Sequence, residues 1–587
     1  MPGFILNIGK NKLTLPEEVR KKLVINRLEG EGFQLERHVV NKFMNDRLFE
    51  ETEHYVVVVE GIVLNNHELM AKYQSETWLS CVTRMYEREG ESFFNDFRGS
   101  FSGALYDKKE DKWIVYTCHT GEKQIFYKQV SDGFLMASEM RFMVEAMKVN
   151  QIRPEVDEIG CYFSLTHGFC IEDRTLVKDV HKLIAGHYLR VQSGQLEVIQ
   201  YHRFTNKPVE MTKEEAVEGI DRLFRQAVKR AFDKDREYGY RHLACLSGGL
   251  DSRMTVWVAH EMGYTDQTNI DYSQSYYLDF KISQQIAIDL HHDYFFSPLD
   301  HGDFIHRYKF LPELTYGSGF MLGHGFSMEQ LINYDSFGIF HTGQLGDVIL
   351  GSYLKELDYG QVAIKDGANS LELLNKLDSY KISFDYKNSE IFRIYNRGLN
   401  GINQGLLTYQ DNTESYSPFM DVDFFEFCFQ IPLKMRLNHK LYFDWVLDKY
   451  PKAGDYVWEK TGQKPHRFEN RVPKTMRVLG YEVPHYSEPG FKKYVKGFLL
   501  RRLGLRKKDE KQKTIVQKSP YSMNPVDYWY DTNPAIKEFM ESFWAENNDQ
   551  IPYQQLHDDM EHLFRDCVVY DKLQCLSVLS AIKLIRG

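Results

Sequence analysis

Residues Leu243-Ala244-Cys245-Leu246 run straight into Ser247-Gly248-Gly249-Leu250-Asp251-Ser252, and a helix-compatible stretch, 253–262, follows. An apolar run, a glycine turn and a helix start in that order specify a buried strand, a tight loop and a helix N-terminus. Bare backbone N–H groups and the positive end of the helix dipole then converge on one point, where an anion can sit. Gly248 and Gly249 let the main chain approach that anion closely. Ser247 and Ser252 add hydroxyl donors, and Asp251 offers a carboxylate to Mg²⁺. The phosphates of a nucleotide fit this set. The Gly-Lys-Ser/Thr ending of the kinase and GTPase loop is absent.

The remaining sequence bounds the setting of that loop. A chain of 587 residues implies two or more domains. A hydrophobic content of 43% suffices for ordinary cores, and a net charge of −10 argues against general nucleic-acid binding. The eight cysteines are scattered, with neither metal-ligand spacing nor a disulfide framework. A reduced, cytoplasmic chain is the expectation, with neither a membrane span nor a signal peptide.

The first 200 residues read as strand-rich, with candidate strands at Tyr55–Val59 and Trp113–Tyr116. From Thr212-Lys213-Glu214-Glu215, a capped helix start, the pattern changes to helix, then to strands alternating with helices: 243–246, 253–262 and 279–290. That alternation implies a parallel sheet with helices on its faces. The last third reads as mainly helical. Within it, 491–513 interleaves ten lysines and arginines with Phe498, Leu499, Leu500, Leu503 and Leu505. This is the pattern of a basic amphipathic helix on an anionic membrane surface, and equally of a solvated helix or an active-site loop.

The Ser247–Ser252 string resembles the pyrophosphate loop of the ATP pyrophosphatases, and two further stretches make the resemblance specific to the asparagine synthetase family, including the β-lactam synthetases and lasso-peptide cyclases. Thr342-Gly343-Gln344-Leu345-Gly346-Asp347 resembles the second nucleotide segment, with Leu345 where a glycine is usual. Glu414-Ser415-Tyr416-Ser417-Pro418-Phe419-Met420-Asp421 resembles Glu-x-Arg-x-Pro-Phe-Leu-Asp, with Tyr416 in place of the arginine. In the N-terminal part, Arg98–Asp107, Ala137-Ser138-Glu139 and Ala185-Gly186-His187 resemble family segments as well. The resemblance implies an α+β Ntn-hydrolase-like sandwich, the glutamine amidotransferase-like domain, over 1–205. It implies an α/β adenine nucleotide α-hydrolase-like (ATP pyrophosphatase) domain with a parallel sheet and extra helices over 206–475. A helical extension would occupy 476–587.

Glutamine-using members begin with cysteine, and here Pro2 stands in that place. The segment that binds glutamine carries Glu60 where a neutral amide is expected, a charge that would repel an oxyanion. Both point to an amidotransferase-like domain without glutaminase chemistry.

For the second domain the resemblance implies ATP and Mg²⁺ as cofactors. Asp251 and Asp347 are the metal ligands; Ser247, Gly248, Gly249, Ser252, Thr342, Gly343 and Gly346 hold the phosphates. Leu246, Ile270 and Tyr272 flank the adenine, or are simply core. Lys460, or Lys464 as competitor, neutralises charge at phosphorus, unless either is a plain surface charge. Asp279 is a weaker candidate at a helix start. Glu414 is a base or an assistant to one, or else a structural carboxylate paired with Arg393 or Arg397. Gln344 replaces the residue that takes a proton in relatives, which argues against plain asparagine synthesis. The expected activity is AMP-forming amide ligation of a small-molecule or sugar carboxylate to ammonia or an amine, in surface polysaccharide or natural-product synthesis. An intramolecular cyclase and a non-catalytic nucleotide-binding scaffold are the alternatives. The 491–513 segment would place the chain at the inner membrane face.

Overall fold

The computed structural model describes residues 3–10, 13, 23–307, 331–354, 357–467 and 521–587, and the backbone of 474–478 and 481–485. Pro2 and the basic segment 491–513 lie outside the described residues.

The N-terminal part is built from two six-stranded antiparallel sheets. The run Val56-Val57-Val58-Val59 shows why they stack. All four valines are fully buried, because the Tyr55–Val63 strand is covered on both faces. Side chains alternate along a strand. Val56 and Val58 meet Phe4, Leu6 and Met136 of the other sheet. Val57 and Val59 meet Cys81, Val82 and Met85 of the Trp78–Glu89 helix. On the outer face of the first sheet, Ile5, Leu135 and Ala137 pack with Phe142, Met143 and Phe163 of the Met140–Val149 and Glu158–His167 helices. The result is four layers: helix, sheet, sheet, helix.

Thr212 caps the long Lys213–Glu237 helix through a reciprocal pair with Glu215, the expected capping box. A five-stranded parallel sheet follows. Its strands lie in the order 293–298, 267–273, 241–245, 337–341, 415–416. The helices Leu250–Glu261 and Leu278–Asp289 make the first two crossovers. The chain then returns to the other side of Arg241–Cys245 to lay down Phe337–His341. Strand order reverses there, and open α/β sheets bind ligands at that crevice. Both nucleotide-like segments leave the sheet at this point.

Four helices, 526–532, 534–547, 554–566 and 569–586, close the chain. The last one packs back on the N-terminal part, where the Gln574 side-chain amide donates to the carbonyls of Ser164 and Leu165. A two-stranded hairpin, 474–478 with 481–485, interrupts the helical character expected of this third. No described helix is long and apolar enough to cross a membrane.

Candidate active site

A cavity of about 530 Å³ opens at the point where strand order reverses. Ser247, Gly249, Asp251 and Ser252 line it from the first loop; Thr342, Gly343, Gln344 and Asp347 line it from the second. The two loops touch. A β-carbon on Gly343 would stand 2.3 Å from Asp251 C and Ser252 N, and one on Gly346 would stand 2.7 Å from Asp251 Cγ. Glycine at 343 and 346 is therefore what permits the contact. The Asp347 N–H donates to Asp251 Oδ2 at 3.0 Å. Asp251 Oδ1 accepts from the Tyr442 hydroxyl at 2.7 Å. Burial, and then the Asp347 charge, push the Asp251 carboxyl well above its usual range. A divalent cation bound at the Asp251 carboxylate beside Asp347 relieves both costs.

More acid surrounds the loop. The Gly248 N–H donates to Asp279 Oδ1. Burial first, then Asp271, raise Asp279 to about 7. Glu459, another lining residue, is raised to about 7 by burial and by Asp279. An anion entering this field needs cations. Arg253 is the buried one: its guanidinium donates to the carbonyls of Gly248, Ala453, Tyr456 and Val457 at 2.7–3.1 Å. It ties the first loop to the segment that presents Trp458, Glu459 and Lys460. Lys460 lines the cavity with its ammonium 5.3 Å from the Trp458 ring centroid. Lys464 points elsewhere, in an exposed pair with Asp455. Geometry thus favours Lys460 over its competitor.

Two expected adenine contacts do not reach the cavity. Leu246 is fully buried among residues of the helix side of the sheet, because alternation puts Cys245, not Leu246, on the cavity side. Ile270 shares a face with Tyr272 but lies one pleat deeper, fully buried with Leu243 and Phe340. Tyr272 lines the cavity, with Tyr409, Leu406 and Ile402 as apolar neighbours. Gly248 and Gly346 are placed in the loops behind the lining residues.

Sequence reasoning missed Arg253, Tyr442 and His439. Arg253 had a signal, a charge on the buried side of the helix after the loop. Tyr442 and His439 lie nearly two hundred residues downstream in no motif. His439 lines the cavity in left-handed backbone (φ 59°), beside Asn438 at φ 57°. Such conformations persist in non-glycine residues where packing enforces them, often at functional sites.

A profile described as a glutamine amidotransferase domain matches residues 41–202, within the two-sheet part. Among curated proteins, the provisionally named glutamine-hydrolysing asparagine synthetase 2 of Methanocaldococcus jannaschii is 25% identical over 52% of this chain and 60% of its own length. The glutamine-hydrolysing asparagine synthetase 2 of Bacillus subtilis is 24% identical over 44% of this chain and 37% of its own. Asparagine synthetase B of Escherichia coli is 26% identical over 35% and 32%.

The chain is similar to the asparagine synthetases over part of its length. It spans no more than 60% of the length of these curated proteins.

Against asparagine synthetase motifs, three departures acquire structural content. Leu345 sits at φ 65°, 5% exposed, so the left-handed position that favours glycine is filled by a packed leucine. Gln344 faces the cavity with its amide donating to Ile402 O at 2.8 Å. Tyr416 is buried and donates to Asp421.

Glu414 does not reach the cavity. Arg47 holds its Oε1 at 2.8 Å and Lys123 its Oε2 at 2.6 Å, all three buried. Burial raises its pKa, but the two cations outweigh it and hold the carboxyl below its usual range. Its ion-pair partners are Arg47 and Lys123 rather than Arg393 or Arg397. The opposite side of Arg47 binds Glu60 at 2.7 Å, and Arg37 lies 3.6 Å from the same carboxylate. The Glu60 carboxyl, whose pKa burial raises against the pull of Arg47 and Arg37, is therefore an ion-paired group. This pairing links the N-terminal part to the parallel sheet through buried ions.

Asp235 bridges His242 and His341 at 2.8 and 2.7 Å and accepts the Ile339 N–H. Burial opposes ionisation of Asp235, but the two histidines win and lower its pKa. The triad fixes the strand end from which Thr342 departs.

Proposed function

We propose that this chain is an ATP-dependent, AMP-forming amide ligase that works without glutamine hydrolysis. The observation that carries the proposal is the meeting of Asp251 and Asp347 at one end of a cavity that also holds a serine- and glycine-lined loop and Lys460. The two carboxylates suit Mg²⁺, which keeps several waters and takes few protein ligands. Mg²⁺ bound to them would supply charge stabilisation for departing pyrophosphate. The Ser247–Ser252 loop would hold the phosphates by N–H and hydroxyl donation. Lys460 would neutralise charge at the reacting phosphorus. The acyl-adenylate would then be captured by ammonia or an amine. The carboxylate is a small molecule or a sugar acid, and surface polysaccharide or natural-product synthesis would supply one.

Buried pairing supports the absence of glutaminase chemistry. Glu60 occupies Arg47 and Arg37, so these cations are not available to a developing oxyanion. A pyrophosphate-release screen against carboxylates and amines tests the proposal. Release that depends on Mg²⁺ and disappears in Asp251→Asn, with no glutamate formed from added glutamine, is the expected result. Undiminished release by Asp251→Asn, or glutamate production, would refute the corresponding half.

A further inference from the structure

At the corner between the Gln554–Asp566 and Val569–Arg586 helices, three metal-binding side chains converge, none of which lines the nucleotide cavity. Cys567 Sγ lies 3.9 Å from His562 Nε2. Glu372, contributed by a distant segment, completes a set whose ligand atoms all lie within 4.8 Å of one another. The spacing has a local cause. His562 is on the last turns of its helix, Cys567 is the residue that ends it, and the loop carrying Glu372 lies over that end.

We propose that Glu372, His562 and Cys567 form a site for a transition-metal cation of the Zn²⁺ class, with a fourth position for water. Zinc takes thiolate at about 2.3 Å and imidazole at about 2.0–2.1 Å, so neighbouring ligand atoms around a tetrahedral ion sit about 3.5 Å apart. The thiol–imidazole spacing is a few tenths of an ångström wider, a small closure on an open corner. The Asp235, His242 and His341 set makes the contrast. Its contacts of 2.7–2.8 Å are hydrogen bonds sharing one carboxylate oxygen, and they leave no space for an ion.

Two surrounding features support the site. His562 Nδ1 lies 2.9 Å from Asp566 Oδ2, one helical turn on. A carboxylate on the far nitrogen is how ligating histidines are commonly oriented. Acidic charge from Asp571, Glu372 and Asp566 also gathers at this corner, with Lys572 opposing it. Buried Asp571 is itself raised to about 6 by burial, with Glu372 adding to it. Glu372 makes no ion pair among the described residues. On binding, the Cys567 S–H bond breaks, the sulfur electron pair goes to the metal, and one proton is released to solvent. The occupied site would pin the Glu372 segment to the C-terminal helices.

Cobalt titration of full-length, chelator-treated, reduced protein tests this. Wild type should show a thiolate–cobalt charge-transfer band saturating at one equivalent, displaced by Zn²⁺. Cys567→Ser should lose the band, and Asp566→Asn should weaken binding about 10–100-fold. Zn²⁺ should also protect one thiol of wild type from a thiol reagent. Absence of the band in wild type, or its persistence in folded Cys567→Ser, would overturn the assignment. The wild-type titration decides even if a variant fails to fold.

Discussion

Tyr442→Phe is the sharpest single-atom perturbation of the proposed cation site. The phenol hydroxyl donates to Asp251 Oδ1 at 2.7 Å, while the ring packs against Phe419 and Trp445. Phenylalanine keeps the ring and deletes only the donor. A hydrogen bond to an ionised group contributes about 1.5–3 kcal/mol. Its loss therefore raises an already elevated Asp251 pKa further, because the Tyr442 hydrogen bond is one of the contacts that lowers it. The carboxylate then holds a proton where it should hold Mg²⁺, and also loses its orientation. The Mg²⁺ concentration giving half-maximal ATP affinity should rise about 10–100-fold, the range for losing a partner of a metal ligand. The defect should be larger at pH 6 than at pH 8, because protons compete with the cation. Calorimetric titration of ATP at a series of Mg²⁺ concentrations and both pH values measures this. A midpoint within twofold of wild type at both would refute the claim that Asp251 binds the cation through a carboxylate oriented by Tyr442.

Other substitutions separate roles the structure keeps apart. Lys460→Ala should lower pyrophosphate release at least 100-fold, whereas Lys464→Ala, which removes an exposed pair, should change it less than twofold. Glu414→Gln should destabilise the chain by about 3–5 kcal/mol, because Arg47 and Lys123 lose their shared buried counter-charge. If thermal unfolding is unchanged while turnover vanishes, Glu414 is a base after all. Glu122 is buried and its carboxyl is raised to about 7, by burial foremost. A raised acid contributes stability at low pH that is lost between its unfolded and folded pKa. Stability should therefore fall by about 3 kcal/mol between roughly pH 4.5 and 7 on this group's account. Glu122→Gln should flatten the pH dependence of denaturant unfolding over that window; an unchanged slope would show that Glu122 is not the titrating group.

Local chemistry made much of this molecule legible. Thr212 with Glu215 marked a helix start because both partners lie within one turn. The order strand, glycine loop, helix at 243–262 specified half of the site, because each step is dictated by neighbours in sequence. The valine run at 56–59 announced a buried strand but not its two coverings, since a strand buried on both faces shows no alternation. What sequence withheld was long-range. Tyr442 reaches Asp251 across 191 positions, and Arg47 reaches Glu414 across 367. Nothing in the local pattern of Glu414 distinguishes a base facing a cavity from half of a buried ion pair. Leu246 lies in the core, the alternative kept for it, because successive residues of a strand take opposite faces of the sheet.

The most direct test is a crystal grown with ATP and Mn²⁺, with Mn²⁺ located by anomalous scattering. One peak within coordination distance of both the Asp251 and Asp347 carboxylates, with the triphosphate along Ser247–Ser252, is the predicted result. A nucleotide bound elsewhere, or a loop region holding neither metal nor phosphate, would contradict the account.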